Sequence, residues 1–356
     1  TLRHTLFPYT TLFRSPDHTD GNPYQRKLAE GLVAEGIDVS LASGYPLSTL
    51  RTILRSRPDV VHVHWIAPFL ISGSLPASLL KSIVFLQATL LAKALGIDIV
   101  WTVHNILDHD RRQPRFELFA RRVYARLSDA IIVHCAAAEE TVVRRYGLTS
   151  REKTTVVPHG HYGSSYEDDI DRATARERLG LDPEAITFLY LGQIRPYKQV
   201  PRLVDAFGEL PDEDVRLVVA GKPTDEAEAR RTEVKSRDDG RITTEFGYIP
   251  DESLQVYLNA ADAVVLPYRN ILTSGSAILA MTFGKPVVGP RVGCLSGLLD
   301  QQDELLYDPE TDSLADVLRR AADADLATLG EQNRQHVMEL DWDEISSATR
   351  DIYDRS

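Results

Sequence analysis

Short apolar and β-branched runs alternate with amphipathic stretches along most of the chain. In the first half they predict strands over residues 38–41, 60–64, 97–103, 130–134 and 155–157. In the second half they predict strands over residues 187–191, 215–220, 243–246, 263–266 and 286–288. Such alternation is typical of parallel sheets with helices on both faces. We therefore predict an α/β protein with two doubly wound domains.

The length of the chain supports two domains, because its 356 residues exceed the roughly 250–300 at which a single core stops growing. Residues 160–182 are rich in Gly, Ser, Asp and Glu, which suits a linker. We predict an N-terminal domain over 16–168 and a C-terminal domain over 169–330. A helical segment over 331–356 is expected to pack back on the N-terminal domain.

Residues 1–15 read TLRHTLFPYTTLFRS and have no signal-peptide order. They resemble a translated sequencing-adapter read-through of the kind found in assembled environmental sequence. We interpret them as a non-native extension that replaces a lost first strand; a genuine N-terminal extension is the alternative. The TTLF stretch at 10–13 favours a strand, so the pattern allows it to take the vacant strand position.

The formal charge is −12, from 40 Lys and Arg against 52 Asp and Glu. Residues 1–178 hold 22 basic and 19 acidic side chains, whereas 179–356 hold 18 and 33. The acidic second half argues against a nucleic-acid-binding protein. Two cysteines without CxxC spacing, Cys135 and Cys294, argue against a cysteine zinc site and fit a reducing cytoplasm.

Two loops that follow predicted strands carry residues suited to an anion. Gly192, Arg195 and Lys198 follow strand 187–191, where a glycine, two cations and a helix start suit a diphosphate. A solvated basic turn is the alternative. The run Thr273, Ser274, Gly275 and Ser276 precedes an apolar helix, so hydroxyls and exposed amides are available to phosphate oxygens. An ordinary serine N-cap is the alternative for this loop.

From about residue 20 to the end, the chain resembles the GT-B-fold glycosyltransferases, and among them glycosyltransferase family 4. The motifs are GNPYQRKLAEGL (21–32), VVHVHW (60–65), WTVHN (101–105), VVPHGHY (156–162), YLGQIRPYKQVPRLVDAF (190–207), FGYIPDESLQVYLNAADAVVLPY (246–268) and LTSGSAILAMTFGKPVV (272–288). The resemblance implies two Rossmann-like domains facing each other across a cleft. It also implies a metal-independent enzyme, without a cofactor, that moves a sugar from a UDP or GDP donor to a saccharide or lipid-linked saccharide. Such an enzyme would serve exopolysaccharide or cell-surface glycan synthesis.

The resemblance also assigns roles to single residues. Arg195 and Lys198 would hold the donor diphosphate beside Gly192, and residues 273–276 would reach the distal phosphate. The loop that would contact the base comprises Gly247, Tyr248 and Ile249. His104 would face the donor sugar, where an imidazole can accept a hydroxyl proton or hydrogen-bond a sugar hydroxyl; a core histidine is the alternative. The cleft candidates on the acceptor side are Gly21, Asn22, His64, Asn105 and His159.

One departure from the family pattern leaves the chemistry open. The usual pair of glutamates would fall at Ile271 and Leu279, so both carboxylates are absent. The contacts to the ribose and the donor sugar, and the retention of anomeric configuration, are therefore not implied. Two alternatives remain: a non-catalytic nucleotide- or glycan-binding relative, and a nucleotide-sugar epimerase, which would need a carboxylate-lined site.

Membrane and metal signals are weaker. The apolar stretch 75–95 is interrupted by Lys81, Gln87 and Lys93, so we predict no membrane span. A helix buried against the N-terminal sheet is favoured over an interfacial membrane helix. Asp108, His109 and Asp110 resemble a metal-binding DxD, but we interpret them as a solvated loop.

A basic cluster follows that loop, with Glu117 as its only acid. Its six arginines are Arg111, Arg112, Arg115, Arg121, Arg122 and Arg126. They predict a peripheral contact with lipid phosphates or a polyprenyl diphosphate at the inner face of the cell membrane. A solvated basic helix is the alternative.

Overall fold

The computed structural model of the chain describes the backbone of residues 10–14 together with residues 23–42, 53–55, 57–110 and 112–355. The chain folds into two compact units. The first comprises Thr1–Gly160 and Leu340–Ser356, and the second comprises His161–Glu339. The chain therefore leaves the first unit at residue 160 and returns to it at residue 340.

The first unit is built on a six-stranded parallel sheet. Its strands are β1 (Thr10–Arg14), β2 (Asp38–Ala42), β3 (Val60–Val63), β4 (Asp98–Thr102), β5 (Ala130–Val133) and β6 (Thr154–Val156). Its first helices are α1 (Pro23–Ala34), α2 (Ala67–Leu70), α3 (Leu75–Ala94), α4 (Pro114–Leu127) and α5 (Ala136–Tyr146). The strand order is β2-β1-β3-β4-β5-β6, and every pair is parallel.

The second unit repeats the plan with another six-stranded parallel sheet. Its strands are β7 (Ile186–Leu191), β8 (Val215–Gly221), β9 (Ile242–Phe246), β10 (Ala263–Val265), β11 (Val287–Pro290) and β12 (Leu306–Tyr307). Its helices are α6 (Arg172–Leu179), α7 (Val200–Gly208), α8 (Glu226–Ser236), α9 (Asp251–Ala260), α10 (Gly275–Thr282), α11 (Leu295–Leu298), α12 (Leu314–Asp323) and α13 (Leu326–Met338). Two 3₁₀ helices cover Pro196–Lys198 and Asp300–Leu305. The strand order is β12-β11-β10-β7-β8-β9.

The ten strands predicted from the sequence are confirmed, with ends that differ by at most two residues. The adapter-like segment supplies β1, which lies second from the edge of the sheet and pairs with both β2 and β3. The sequence pattern allowed the strand-favouring TTLF stretch to take this position. The two-residue β12 was missed, because so short a run carries no periodicity.

The last helix, α14 (Trp342–Arg355), packs against α1 in the first unit. Tyr24, Leu28 and Leu32 of α1 share a buried core with Trp342 and Ile345 of α14. The two helices approach closely at Gly31, where a Cβ atom would lie 2.0 Å from the Ser346 Oγ. An ion pair joins Arg350 to Glu35 beside this contact.

Helix α3 is buried on one side only. Ser82, Phe85 and Ala88 face the interior of the first unit, whereas the opposite side exposes large apolar residues. These exposed residues are Leu75, Leu79, Leu80, Ile83 and Leu90. By length and composition, α3 is the one helix in the described ranges that could cross a membrane. The prediction of a helix buried against the sheet therefore holds for one side of α3 only.

The two cysteines lie at helix starts. The sulfur of Cys135 accepts a hydrogen bond from the Ala138 amide at 3.3 Å, and Cys294 is buried immediately before α11. Neither cysteine is a free thiol.

The close contact between α1 and α14 can be tested by substituting Gly31. Gly31→Ala favours the helix intrinsically, but the added methyl group collides with Ser346, so we expect a loss of about 1–3 kcal/mol in the free energy of unfolding. Urea denaturation measures the loss. Ser346→Gly in the same chain should recover part of it, and Glu30→Ala on the exposed side of α1 serves as the control. A stabilised Gly31→Ala variant would contradict this packing.

Candidate functional site

In both units the parallel pairing brings the carboxyl ends of all strands to one edge of the sheet. Ligands of doubly wound folds bind outside this edge, at the point where the strand order reverses. In the second unit the first strand, β7, lies between β8 and β10, so the reversal falls between β7 and β10. The loops after these two strands are therefore the candidate ligand site of this unit.

The loop after β7 places a buried ammonium beside the backbone. Gly192 has φ +137°, and a Cβ atom there would lie 3.2 Å from the Nζ of Lys198. Lys198 is 9% exposed. Its Nζ lies 5.3 Å from the ring centre of Tyr268 and 6.0 Å from that of Tyr190. Aromatic faces attract a cation at such distances, so the loop holds the ammonium in a defined place.

This loop carries positive charge, and the ammonium of Lys198 is shielded from water. Burial lowers the pKa of Lys198, the positive charge of Arg195 lowers it further, and Tyr197 acts in the opposite direction. Within the described part of the chain, no carboxylate contributes to this pKa. The half-buried Arg195 donates from Nε to the side-chain oxygen of Gln193 at 2.9 Å. Two neighbouring cations of this kind are suited to an anionic ligand.

The loop after β10 leads into α10. The Ser274 Oγ accepts a hydrogen bond from the Ala277 amide at 3.2 Å, so Ser274 is the N-cap of this helix. Gly275 begins the helix, and a Cβ atom there would lie 2.9 Å from the Tyr162 Oη. Thr273 and Ser276 are half-buried on either side. The serine cap foreseen as the alternative is thus present, and the first amides of α10 still lack partners within the helix.

The β7 and β10 loops are joined to each other. The Arg269 amide donates to the Tyr197 carbonyl at 2.9 Å, and the ring of Tyr268 lies beside Lys198. The hydroxyl of Tyr268 is buried beside the side chains of Ser276 and Ser274. Burial raises its pKa to about 12, while the nearby Ser276 and Ser274 act to lower it. The protonated phenol is therefore a hydrogen-bond donor between the ammonium and the serine hydroxyls.

Sequence reasoning missed Tyr268, although a tyrosine three residues after the buried strand β10 was a visible signal. It also missed Gly221, which ends β8 with φ +143°. A Cβ atom there would lie 1.9 Å from the Gly192 carbonyl oxygen. Glycine is required at this position, because the backbones at the ends of β7 and β8 approach each other too closely for a side chain.

The loop predicted to contact a base follows β9, the edge strand. The Gly247 amide donates to the Gly221 carbonyl at 3.2 Å. Tyr248 is 74% exposed, and Ile249 is half-buried. This loop thus lies at the same edge of the sheet as the β7 loop, two strands further along, after the outermost strand.

Aliphatic side chains occupy the two positions at which the family has glutamates. Ile271 and Leu279 are both half-buried. The backbone beside Ile271 is closely packed, since a Cβ atom at Gly293 would lie 2.3 Å from the Ile271 carbonyl oxygen. The second unit therefore carries cationic and hydroxyl groups at its site without these two carboxylates.

In the first unit, each of the four neighbouring strands β3 to β6 is followed by a histidine. These residues are His64, His104, His134 and His159. The Nδ1 of His64 lies 3.2 Å from the Nε2 of His104, and the Nδ1 of His104 lies 3.3 Å from the Nε2 of His134. His134 Nδ1 lies 2.9 Å from the Val157 carbonyl oxygen. The strand ends thus assemble a chain of imidazoles.

Aromatic rings surround this chain. Tyr24 of α1 packs edge-on against His64, His104 and His134, and its ring centre lies 4.7 Å from that of His159. Trp65 stacks on His104 at 4.5 Å between ring centres. Sequence reasoning named three of the four histidines and missed His134, although it occupies the same strand-end position as His64.

A buried ion pair anchors the loop that carries His104 and Asn105. Arg121 bonds to Glu117, and its Nη1 donates to the Asn105 carbonyl at 2.7 Å. The Oε1 of Glu117 also accepts from the Asp108 amide at 2.7 Å. Arg121 is therefore a structural residue rather than part of an exposed basic cluster, which corrects that element of the prediction. The half-buried side chain of Asn105 belongs to the same loop.

The Asp108–Asp110 loop contacts Arg112, whose Nη2 lies 3.0 Å from an Asp110 oxygen. Within the described ranges, no group of three or more His, Cys, Asp or Glu side chains is arranged to hold a metal ion. Three predicted positions, Gly21, Asn22 and Arg111, lie outside the described residues.

Two family models match the chain, one in each unit. The model described as Glycosyltransferase Family 4 matches residues 42–161. The model described as Glycosyl transferases group 1 matches residues 185–324. The matched ranges contain the histidine chain and the β7 and β10 loops, respectively.

A curated relative, GDP-mannose:glycolipid 4-beta-D-mannosyltransferase of Xanthomonas campestris pv. campestris, is 26% identical over 308 residues, or 85% of this chain and 81% of that protein. Among solved structures, sucrose-phosphate synthase of Thermosynechococcus elongatus matches with a TM-score of 0.77 and 21% identity, covering 98% of both chains. Anabaena Alr3699/HepE in complex with UDP and glucose matches with a TM-score of 0.73 and 16% identity, covering 98% of this chain and 100% of that one. The structural likenesses establish the fold.

The buried histidines make the stability of the first unit depend on pH. Burial lowers the pKa of His62 and His159 to about 3 and that of His134 to about 4. The unfolded chain, with histidine pKa values near 6.5, takes up protons first. Stability should therefore be complete above pH 6.5 and fall towards pH 4, by about 1–2 kcal/mol per buried histidine between pH 6.5 and pH 5.

Denaturation with urea at several pH values checks this dependence. His159→Gln removes one of the titrating groups and should reduce the slope below pH 6.5. Gln332→Ala, at an exposed position of α13 without a titrating group, is the control and should leave the slope unchanged. A stability that is constant from pH 7 to pH 4.5 would contradict the neutral state of these imidazoles.

Proposed function

The chain is a glycosyltransferase of the GT-B fold, and from this premise we propose that its second unit binds the diphosphate of a nucleotide-sugar donor between the β7 and β10 loops. The observation that carries the proposal is the pairing of Lys198 with Tyr268. A buried ammonium and a buried phenol lie side by side at the reversal point of the sheet. A phosphate oxygen would satisfy both groups.

The same arrangement suits the chemistry of sugar transfer. The bond from the anomeric carbon to the phosphate oxygen breaks while negative charge grows on the departing diphosphate. Arg195, Lys198 and the first amides of α10 would stabilise that charge more in the transition state than in the ground state, which is what accelerates a reaction. The low hydration of Lys198 strengthens its interaction with an incoming anion.

The remaining donor contacts follow from their positions on the sheet edge. Gly192 would let the phosphate approach the backbone, and Thr273, Ser274, Gly275 and Ser276 would offer hydroxyls and amides to the distal phosphate. Gly247, Tyr248 and Ile249 would lie along the base. The exposed ring of Tyr248 has no role in packing the second unit, which favours a stacking contact with the base.

For the first unit, we propose that His104 contacts the reacting sugar or the acceptor hydroxyl. His64, Asn105 and His159 lie at the same edge of the sheet and would complete the acceptor side together with Gly21 and Asn22. The acceptor is proposed to be a lipid-linked saccharide, because a relative over 85% of this chain is named for a glycolipid acceptor. GDP-mannose, which the same name gives, is the first donor to test, and UDP-sugars are the second.

A non-catalytic binding protein remains the competing function, since Ile271 and Leu279 replace the family glutamates. Donor hydrolysis and transfer, assayed with a panel of GDP- and UDP-sugars, distinguish the two functions. Nucleotide binding without turnover on any glycolipid acceptor would favour the binding protein.

A glycolipid acceptor places the enzyme at a membrane surface, and we propose that α3 and α4 make this contact. The exposed apolar side of α3 includes Leu80, which is 66% exposed. On the adjacent α4, Phe119 is 65% exposed and lies on one face with the exposed Arg115 and Arg122. Apolar residues flanked by arginines match the acyl boundary and the phosphates of an anionic bilayer.

Removing the proposed phosphate contacts should weaken nucleotide binding. Lys198→Ala and Arg195→Ala should each raise the Kd for GDP or UDP about 10- to 100-fold, the scale of a charge-assisted hydrogen bond. Tyr268→Phe removes only the hydroxyl and should raise the Kd about 2- to 10-fold. Isothermal titration calorimetry measures these constants.

Arg230→Ala on the exposed side of α8 is the control for a general loss of positive charge and should leave the Kd unchanged. Circular dichroism at the working temperature establishes that each variant is folded. An unaltered Kd in all three site variants would show that the donor site lies elsewhere.

The membrane contact is tested with vesicles that contain phosphatidylglycerol. Leu80→Glu should reduce the fraction of protein that floats with the vesicles several-fold, because a carboxylate replaces an inserting side chain and faces anionic lipid. Val234→Glu, at an exposed apolar position on α8 of the second unit, should bind vesicles like the unaltered chain. Equal flotation of both variants would contradict the assignment of α3.

A further inference from the structure

The histidine chain of the first unit has a defined end. The Nδ1 of His134 lies 2.9 Å from the Val157 carbonyl oxygen. A carbonyl oxygen can only accept a hydrogen bond, so Nδ1 of His134 must carry the proton. Burial lowers the pKa of His134 to about 4, which keeps this ring neutral near pH 7. A neutral imidazole has one N–H, so the Nε2 of His134 is an acceptor.

The protonation of His134 fixes the direction of the next hydrogen bonds in the histidine chain. The acceptor Nε2 of His134 lies 3.3 Å from the Nδ1 of His104, which must therefore donate. His104 is also neutral, because burial and the neighbouring histidines hold its pKa well below the usual range. Its Nε2 is then an acceptor, and it lies 3.2 Å from the Nδ1 of His64, which donates in turn.

We infer that His134 is a positioning residue that fixes His104 in the Nδ1–H tautomer and makes its Nε2 a hydrogen-bond acceptor. The opposite order would place a lone pair of His134 against the lone pairs of the Val157 carbonyl. The Val157 carbonyl therefore allows only one direction for the hydrogen bonds among these histidines. The inference requires no group beyond His134, His104, His64 and Val157.

The surrounding rings keep the imidazoles from turning over. Trp65 stacks nearly parallel to His104, at an interplanar angle of 12°, and Tyr24 meets the same ring at 88°. A flip of His104 would place ring carbons where its two nitrogens now lie and would break both of its hydrogen bonds to the neighbouring histidines. The packing therefore holds the orientation of the ring, and the hydrogen bonds hold its tautomer.

The consequence for catalysis rests on the proposed function, in which His104 meets a sugar or acceptor hydroxyl. A hydroxyl that replaces the N–H of His64 as the donor to Nε2 finds an acceptor already in place. His104 is thereby set to receive a hydrogen bond or a proton rather than to donate one. If the proton moves to Nε2, the N–H at Nδ1 remains directed at His134, which stabilises the resulting imidazolium.

The tautomer is measured directly in the full chain by long-range ¹H–¹⁵N correlation spectra with ¹⁵N-labelled histidine, which distinguish protonated from unprotonated ring nitrogens. His104→Gln assigns its signals by their loss. At pH 7.5 we expect His104 to be protonated at Nδ1 and not at Nε2. A His104 protonated at Nε2, or doubly protonated, would overturn the inference, and this measurement requires neither a substrate nor turnover.

Two substitutions of His134 separate tautomer control from packing. His134→Gln keeps an oxygen that can accept from the Nδ1–H of His104, whereas His134→Leu fills a similar volume without an acceptor. We expect the Nδ1–H signal of His104 to persist in the glutamine variant and to shift towards Nε2–H in the leucine variant. Tautomers that are identical in the leucine variant and the unaltered chain would contradict control by His134.

Kinetics then connect the tautomer to the reaction. With a donor that the unaltered enzyme turns over, His134→Leu should lower kcat about tenfold or more, as expected when a proton-accepting group loses its orientation. The donor KM should stay within about twofold, and His134→Gln should recover most of kcat. A loss of kcat that is equal in both variants would indicate a structural role only. If no donor is turned over while the tautomer is as expected, the proposed function fails and the tautomer inference stands.

Discussion

The parallel pairing of the strands is the constraint on which the rest of each unit depends. A parallel sheet places every strand's carboxyl end at one edge. Residues that are 30 to 40 positions apart in the sequence, such as His64, His104 and His134, become neighbours only for this reason. The same pairing brings the loops after β7 and β10 together, although more than 70 residues separate them.

The carboxyl edges of the two sheets differ in charge. At the edge of the second unit, the structure tolerates a desolvated ammonium with aromatic rings as neighbours, and it omits the two family carboxylates that would lower the local positive charge. At the edge of the first unit, burial removes charge from a row of imidazoles. The edge of the second unit thus suits the proposed anionic ligand, and that of the first unit suits the proposed hydroxyl group.

Most of the fold was predictable from the sequence, because β-branched runs and their spacing identify buried parallel strands without tertiary information. The positions of Arg195, Lys198 and Ser274 after strands were sufficient to predict a shared loop edge. The role of Gly221 was not predictable, because it depends on two backbones approaching within contact distance, which no local pattern encodes. The six-arginine cluster shows the same limit: helical periodicity cannot tell that Arg121 points inward unless Glu117 and the Asn105 carbonyl are known to be there.

In the histidine chain, the buried environment fixes the orientation and tautomer of each ring and keeps the ring uncharged. In water, an imidazole exchanges tautomers freely and gains its second proton near pH 6.5. In the first unit burial removes the charged form, so the remaining freedom is the choice of which nitrogen holds the single proton. A hydrogen bond to a backbone carbonyl decides that choice at one end, and each neutral ring passes it to the next. The low dielectric that makes these histidines costly to protonate also makes their hydrogen bonds strong. The Val157 carbonyl therefore determines the acceptor side of His104 through two rings, without any charged residue in the chain of contacts.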